Sequence, residues 1–172
     1  LAKVSIQKPD ADIGLIGIGG INKHFIFNED NLIRQIEYVL TLYPNKNWYF
    51  FSSRRTTNLM NNKIKILSKS FSNIIIANED FDEIIKRASI KFVTQDSMNM
   101  VYESLSTKGQ TFLFNMKYKS ENKITKQINK LLVNKQVGYI ENILMADGLN
   151  KIKIQPQNPH HEVFAEVEKL AF

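Results

Sequence analysis

Short apolar runs alternate along the chain with longer amphipathic stretches, in which apolar residues recur every three or four positions. An uninterrupted apolar run between turn residues is typical of a strand buried on both faces, and the amphipathic stretches are typical of helices that pack on such a sheet. The pattern predicts strands over 13–18, 48–51, 73–77, 90–94 and 111–116, and after each strand a helix, over 28–43, 56–67, 80–88, 97–106 and 123–132.

This alternation predicts an α/β domain with a Rossmann-like parallel sheet and helices on both faces. Right-handed crossovers place the loop after every strand at the same edge of the sheet, where we expect the functional site. After Asn134 the periodicity weakens, and residues 155–159 look like an extended linker. Residues 162–172 are predicted to form a last helix with one apolar face.

The chain has 172 residues, a length that suits one domain with one hydrophobic core. It begins with Leu1 rather than methionine, in a polar stretch, as a piece of a longer polypeptide would. We therefore predict a segment over 1–12 that continues from an upstream region, a domain over 13–155, and a C-terminal helix within 156–172. The apolar face of that helix fits packing on its own domain or on a partner surface.

Composition narrows the classes of function. Hydrophobic residues make up 43% and charged residues 23% of the chain, which is the balance of a folded protein. The absence of cysteine excludes disulfides, thiolate metal sites and cysteine nucleophiles. The net charge of +6 fits phosphorylated small molecules, anionic lipid or nucleic acid, but scattered lysines without interleaved aromatics argue against nucleic acid. No apolar run approaches the roughly 20 residues of a transmembrane helix, so we expect a cytoplasmic location with, at most, peripheral contact at the inner membrane surface.

The first loop after a strand contains Gly19 and Gly20, followed by Lys23 and His24. Paired glycines let a ligand approach the backbone and can turn N–H groups toward an anion, although they also serve a tight turn. The third glycine of a dinucleotide-binding fingerprint is missing, because Asn22 stands in its place. His24 is a candidate catalytic residue without an evident orienting partner.

The second loop places Ser53, Arg54, Arg55 and Thr56 at the start of the next predicted helix. Hydroxyl and guanidinium groups there supply charge-assisted hydrogen bonds, and the helix dipole adds to their attraction for an anion. Surface arginines are often only solvated, but these lie on the expected ligand edge. We therefore predict phosphate contact, with Arg55 favoured over Arg54 to point inward.

The third loop leads into a helix at Asp96, Ser97 and Met98. Asp96 or Ser97 can cap this helix and leave N–H groups at residues 97–99 to receive a pyrophosphate. Glu103 lies nearly two turns further on about the same face, where a carboxylate can accept two hydrogen bonds from a ribose diol. An ordinary capped helix with an incidental glutamate accounts for the same residues.

Three segments carry a family resemblance: GIGGINKHF at residues 17–25, FFSSRRTT at 50–57 and VTQDSMNMVYESLSTKGQTFLF at 93–114. Together, over about residues 12–120, the chain resembles the mitochondrial-fission family named for an elongated-mitochondria phenotype in plants, whose bacterial members are labelled sugar-nucleotide enzymes. Mild departures such as Asn22 and Ser104 affect the loop conformations more than the assignment.

The resemblance implies the C-terminal, donor-binding half of a GT-B-like glycosyltransferase, which has two Rossmann-like domains. There, a glutamate at the position of Glu103 holds the ribose of a nucleoside diphosphate sugar, and the preceding helix start holds the diphosphate. The acceptor, the general base and the surface for the terminal helix would belong to an N-terminal domain outside this chain. The leaving diphosphate would be stabilised without a metal or a cofactor, by groups of the three loops: Lys23, Arg54, Arg55, Gly19, Gly20, Ser97 and Met98.

Two other interpretations stay open, as does whether the chain is itself catalytic. A non-catalytic adaptor that recruits protein partners to a membrane surface fits the plant connection, the positive charge and the apolar face of residues 162–172. An NAD-dependent oxidoreductase fits less well, because it needs the missing glycine and a ribose-binding acid about 20 residues further on. Glu37 is near that spacing but falls in the middle of a predicted helix.

Overall fold

Strands and helices alternate through most of the computed structural model, which describes residues 8–76, 78–144, 146, 148 and 150–158. The elements are β1 (Asp10–Ile18), α1 (Glu29–Leu42), β2 (Asn47–Ser52), α2 (Asn58–Leu67), β3 (Ile74–Ile76), α3 (Phe81–Arg87), β4 (Ala88–Val93), α4 (Met98–Leu105), β5 (Gln110–Leu113), α5 (Lys123–Val133), β6 (Gly138–Leu144) and β7 (Asn150–Gln155).

The strands form one sheet in the order β3-β2-β1-β4-β5-β6-β7. All neighbouring pairs from β3 to β6 are parallel, and β7 runs antiparallel to β6. The order 3-2-1-4-5-6 is that of a doubly wound Rossmann sheet. The predicted Rossmann-like α/β fold is therefore confirmed.

Both faces of the sheet are buried, which explains the uninterrupted apolar runs. On one face, Ile16 of β1 packs with the buried side chains of α1 and α2, and on the other, Leu15 packs with those of α3, α4 and α5. Alternate residues of one strand therefore serve two separate apolar clusters. Leu59 of α2 lies away from these clusters and is 54% exposed.

Side-chain caps fix where the first two helices begin. The Asn28 side chain accepts from the Asn31 N–H, and the Thr57 side chain accepts from the Met60 N–H. The second helix therefore starts after Thr57 rather than at Thr56, whose hydroxyl points back to the β1 loop.

The sheet continues beyond the fifth strand, where a linker was predicted. β6 and β7 form an antiparallel hairpin, and Gln155, predicted to begin a linker, is the last residue of β7. β7 has no uninterrupted apolar run because it is an edge strand. Ile152 and Ile154 pack against the core, whereas Lys151 and Lys153 are exposed. The predicted helix over 162–172 lies outside the described residues.

Within the described part of the chain, no helix is both long enough and apolar enough to cross a membrane.

Candidate functional site

The three predicted loops meet at one edge of the sheet, where β1 and β4 lie side by side. The Gly19 N–H donates to the Thr94 hydroxyl at 2.8 Å, and the Gly20 N–H donates to Asp96 Oδ2 at 3.0 Å. Arg55 donates to the same Asp96 oxygen at 3.1 Å. We call residues 19–20, 53–56 and 94–97 the loop cluster. It lies where the strand order reverses, which is the usual ligand position in doubly wound sheets.

The two glycines allow the loops to pack at backbone distance. A Cβ atom on Gly20 would lie 1.7 Å from the Arg55 carbonyl oxygen, and one on Gly19 would lie 2.2 Å from Asp96 Oδ2. Their N–H groups, predicted to face an anion, already donate to Thr94 and Asp96. The glycines therefore allow the loops to pack closely. This agrees with the alternative in which paired glycines serve a tight turn.

Asp96 joins two of the loops through a buried carboxylate. Its side chain is fully buried, whereas that of Arg55 is 43% exposed. Asp96 Oδ1 has no hydrogen-bond partner among the described residues. Arg54 is exposed and makes no hydrogen bond to the described part of the chain, so the two neighbouring arginines differ in their contacts. Phosphate contact by either arginine stays a prediction.

Hydroxyl groups hold the second loop in shape. The Ser53 N–H donates to Thr56 Oγ1 at 2.8 Å, and Thr56 Oγ1 donates to the Gly19 carbonyl at 2.6 Å. Ser53 Oγ accepts from the Arg55 N–H at 3.2 Å. These hydroxyls, predicted as phosphate ligands, connect the loop to itself and to β1.

The start of α4 offers backbone donors. Ser97 is the N-cap residue, but its side chain makes no capping bond, and Asp96, the other predicted cap, is engaged with Gly20 and Arg55. The Ser97 N–H donates to the Thr94 carbonyl at 3.4 Å, whereas those of Met98 and Asn99 have no intrahelical acceptor. The N–H groups of Met98, Asn99 and Met100 and the positive end of the helix dipole are thus left at this edge.

Glu103 is half-buried in the second turn of α4, one turn from the exposed Asn99. Residues four apart share a helix face, so Glu103 follows the α4 start along the outer side of the helix. The residues predicted to bind the ribose and the diphosphate therefore lie on one helix.

A sequence model of one family covers these loops and nearly all of the chain. The description of that family is mitochondrial fission ELM1, and its model matches residues 2–169. The chain belongs to the mitochondrial fission ELM1 family. No curated protein matches it. The predicted resemblance is thereby confirmed at the level of the family.

In this ELM1 chain, His24 has an orienting partner that the sequence did not reveal. His24 Nδ1 lies 3.0 Å from Asn122 Nδ2. Asn122 Oδ1 caps α5 by accepting from the Ile124 and Thr125 N–H groups, which assigns the amide NH₂ to the histidine side. With the amide oriented in this way, the Asn122 NH₂ donates to His24 Nδ1.

The loop that carries His24 is paired with the chain after β5. The Ile26 N–H donates to the Lys117 carbonyl and the Lys119 N–H donates to the His24 carbonyl, both at 2.8 Å. Phe25 and Tyr118 meet edge to face, with ring centroids 5.3 Å apart, and burial raises the pKa of the Tyr118 hydroxyl. Lys23 is exposed beside this paired segment.

Two further polar residues were missed because they interrupt apolar patterns. Lys91 is fully buried in β4, and its ammonium donates to the Ser104 carbonyl at 2.6 Å and to the Thr107 hydroxyl at 2.7 Å. It thereby supports the C-terminal end of α4, where the helix dipole favours a cation. Gln35 is fully buried on the apolar face of α1. The signal that could have identified each of them is a single polar residue within an apolar pattern.

Across the described residues, no group of three or more histidine, aspartate or glutamate side chains is placed to hold a metal ion.

Proposed function

We propose that this chain binds a nucleoside diphosphate sugar at the loop cluster and α4, as the donor half of a metal-independent glycosyltransferase. The observation that carries the proposal is the convergence of the three loops at the β1/β4 edge, through the contacts of Gly19, Gly20 and Arg55 with the β4 loop. Strand-order reversal at this edge supports a nucleotide ligand.

The diphosphate would lie against the start of α4. The N–H groups of Met98 and Asn99 lack intrahelical acceptors, and the dipole favours an anion there. Arg55 is partly exposed, so its guanidinium can meet a phosphate while it stays beside Asp96. Lys23 adds a second exposed cation on the β1 loop.

The ribose would lie further along α4, beside Glu103. A half-exposed carboxylate at this position can accept hydrogen bonds from both hydroxyls of the diol. The sequence pattern and the resemblance to sugar-nucleotide enzymes thus both point to Glu103 of α4 as the ribose-binding residue.

In the proposed transfer, the bond between the sugar and the diphosphate breaks and a new bond forms to an acceptor hydroxyl. The electron pair leaves with the diphosphate, whose charge Arg55, Lys23 and the α4 amides would stabilise. The acceptor proton would pass to a general base in another domain.

Calorimetric titration of the chain with UDP, GDP, UDP-glucose and GDP-mannose tests this proposal. We expect at least one of them to bind, and Glu103→Gln to weaken that binding about tenfold through loss of a charged acceptor. Glu121→Gln, which changes an exposed glutamate in the loop before α5, is the matched control. Absence of binding at millimolar ligand, or full affinity in Glu103→Gln, would contradict the donor site.

The adaptor interpretation depends on the apolar face of residues 162–172, which lie outside the described part of the chain. It stays a prediction, as does peripheral membrane contact.

A further inference from the structure

A cavity of about 450 Å³ opens between the start of α1, the chain after β5, and β6. Four asparagines line it: Asn28 and Asn31 from α1, Asn115 after β5, and Asn142 from β6. We call it the amide pocket. Its volume lies within the range of small-molecule sites. Its polar lining belongs to no motif that the sequence singled out.

The amides of this pocket have hydrogen-bonding capacity that other described residues do not use. Asn142 Oδ1 is buried without a partner in the described part of the chain. Asn28 and Asn31 each use their oxygen, to accept from the Asn31 N–H and from Gln35 Nε2, so that their NH₂ groups remain as donors. The pocket therefore offers both donors and acceptors.

Gln35 holds the Asn115 side of the pocket in place. Its side chain accepts from the Asn115 N–H at 2.7 Å and donates to the Asn115 carbonyl at 2.9 Å. These bonds use both backbone groups of Asn115, which is one of the residues that line the pocket. A buried residue of α1 thus positions a group on a distant loop.

The lining favours an uncharged ligand with many hydroxyls. Among the described residues no carboxylate lines the pocket, and the other lining residues are Ile26, Leu32, Met116 and the exposed Lys117. A nucleobase would be expected on an aromatic or arginine platform, which this lining lacks. A sugar ring matches it better, because each hydroxyl both donates and accepts and the ring carbons can pack on aliphatic side chains.

The pocket adjoins the proposed diphosphate position. The Gln95 N–H donates to Met116 Sδ at 3.3 Å, and Gln95 Nε2 donates to the Phe114 carbonyl at 2.8 Å. Gln95 directly precedes Asp96 and Ser97 at the start of α4. We infer that the amide pocket receives the sugar ring of the nucleoside diphosphate sugar, an inference that rests on the proposed function for the identity of the whole ligand.

Saturation-transfer NMR on the full chain tests this inference with UDP-glucose and GDP-mannose, alongside UDP and GDP. We expect transfer to the sugar-ring protons of whichever donor binds, together with shifts of asparagine side-chain amide signals that UDP or GDP alone does not cause. Asn142→Leu keeps a similar side-chain volume and removes the amide. It should abolish most transfer to the sugar, while the affinity for UDP or GDP changes by less than about twofold.

Asn129→Leu, an exposed position of α5, is the matched control and should keep the full transfer. Unchanged sugar transfer in Asn142→Leu overturns the inference. Loss of transfer to the base protons instead of the sugar protons also overturns it and assigns the pocket to the base. In both cases a Glu103-dependent nucleotide affinity leaves the proposed function intact. Failure of all four ligands to bind the unmodified chain contradicts both the sugar-pocket inference and the proposed function.

Discussion

The loop cluster and the amide pocket lie at the same edge of one sheet, yet their polar groups are used in opposite ways. In the loop cluster, the N–H groups of Gly19 and Gly20 and the hydroxyl of Thr56 are bonded within the protein. In the amide pocket, the amides of Asn28, Asn31, Asn115 and Asn142 keep capacity for a ligand. One region therefore provides rigid loop geometry, and the other provides groups for recognition.

Charge explains this difference. A buried carboxylate such as that of Asp96 must be paired and hydrogen-bonded, or its desolvation destabilises the fold. A neutral amide without a protein partner costs less than an unpaired carboxylate, because it carries no charge to desolvate. Asp96 is consequently paired with Arg55 within the loop cluster, whereas the asparagines can keep unused hydrogen-bonding groups.

The largest expected effect comes from adding a methyl group to the loop cluster. Gly20→Ala should lower the free energy of unfolding by about 3 kcal/mol, because its Cβ would overlap the Arg55 backbone, which cannot move without separating the loops. Urea denaturation measures the loss.

The matched variant is Gly17→Ala. Its Cβ would meet Met100 Sδ at 2.8 Å, near the end of a flexible side chain, so we expect a loss below about 1.5 kcal/mol. Equal losses in the two variants would show that the loops of the cluster are not rigidly packed.

A smaller effect should separate the two arginines. Arg55→Met leaves the buried Asp96 carboxylate with only the Gly20 N–H, and we expect a loss of about 2 kcal/mol in unfolding free energy. Asp96→Asn keeps an acceptor for both partners and should cost about 1 kcal/mol.

Arg54→Met is the control for this pair, because Arg54 is exposed and should change stability by less than about 0.5 kcal/mol. Thermal or urea unfolding of the three variants gives the order. If Arg54→Met destabilises the chain as much as Arg55→Met, the ion pair between Arg55 and Asp96 does not stabilise the loop cluster.

The smallest effect should have the opposite sign and belongs to the amide pocket. Asn142→Leu removes a buried oxygen without a described partner and should raise the unfolding free energy by up to about 1 kcal/mol. The same denaturation experiment measures it. A clear loss of stability would mean that Asn142 serves the fold rather than a ligand.

The sequence predicted most of the fold because its signals are local. The apolar runs of β1 and β4, and the cap at Asn28, follow from neighbouring residues alone. β7 escaped prediction because the strands were recognised by uninterrupted apolar runs, whereas only Ile152 and Ile154 are apolar in this short strand. The gathering of three loops at one edge was predictable, since handed crossovers leave no other arrangement.

The partners within the site were not predictable. Asn122 orients His24 from 98 positions away, and Gln35 positions Asn115 from 80 positions away. An asparagine before a helix and a glutamine on an apolar face have ordinary local explanations. Their contacts exist only once the chain after β5 lies beside the β1 loop and α1.

The sequence by itself determined the α/β class, the family and the edge of the sheet at which the motifs meet, because hydrophobic periodicity and short motifs are properties of neighbouring residues. The tertiary structure alone decided that the N–H groups of Gly19 and Gly20 donate within the protein and that Asp96 forms an ion pair with Arg55. It also decided that four asparagines distant in sequence line one cavity. The reason is that hydrogen-bond satisfaction depends on which groups are neighbours in space, and only the packed sheet brings those groups together.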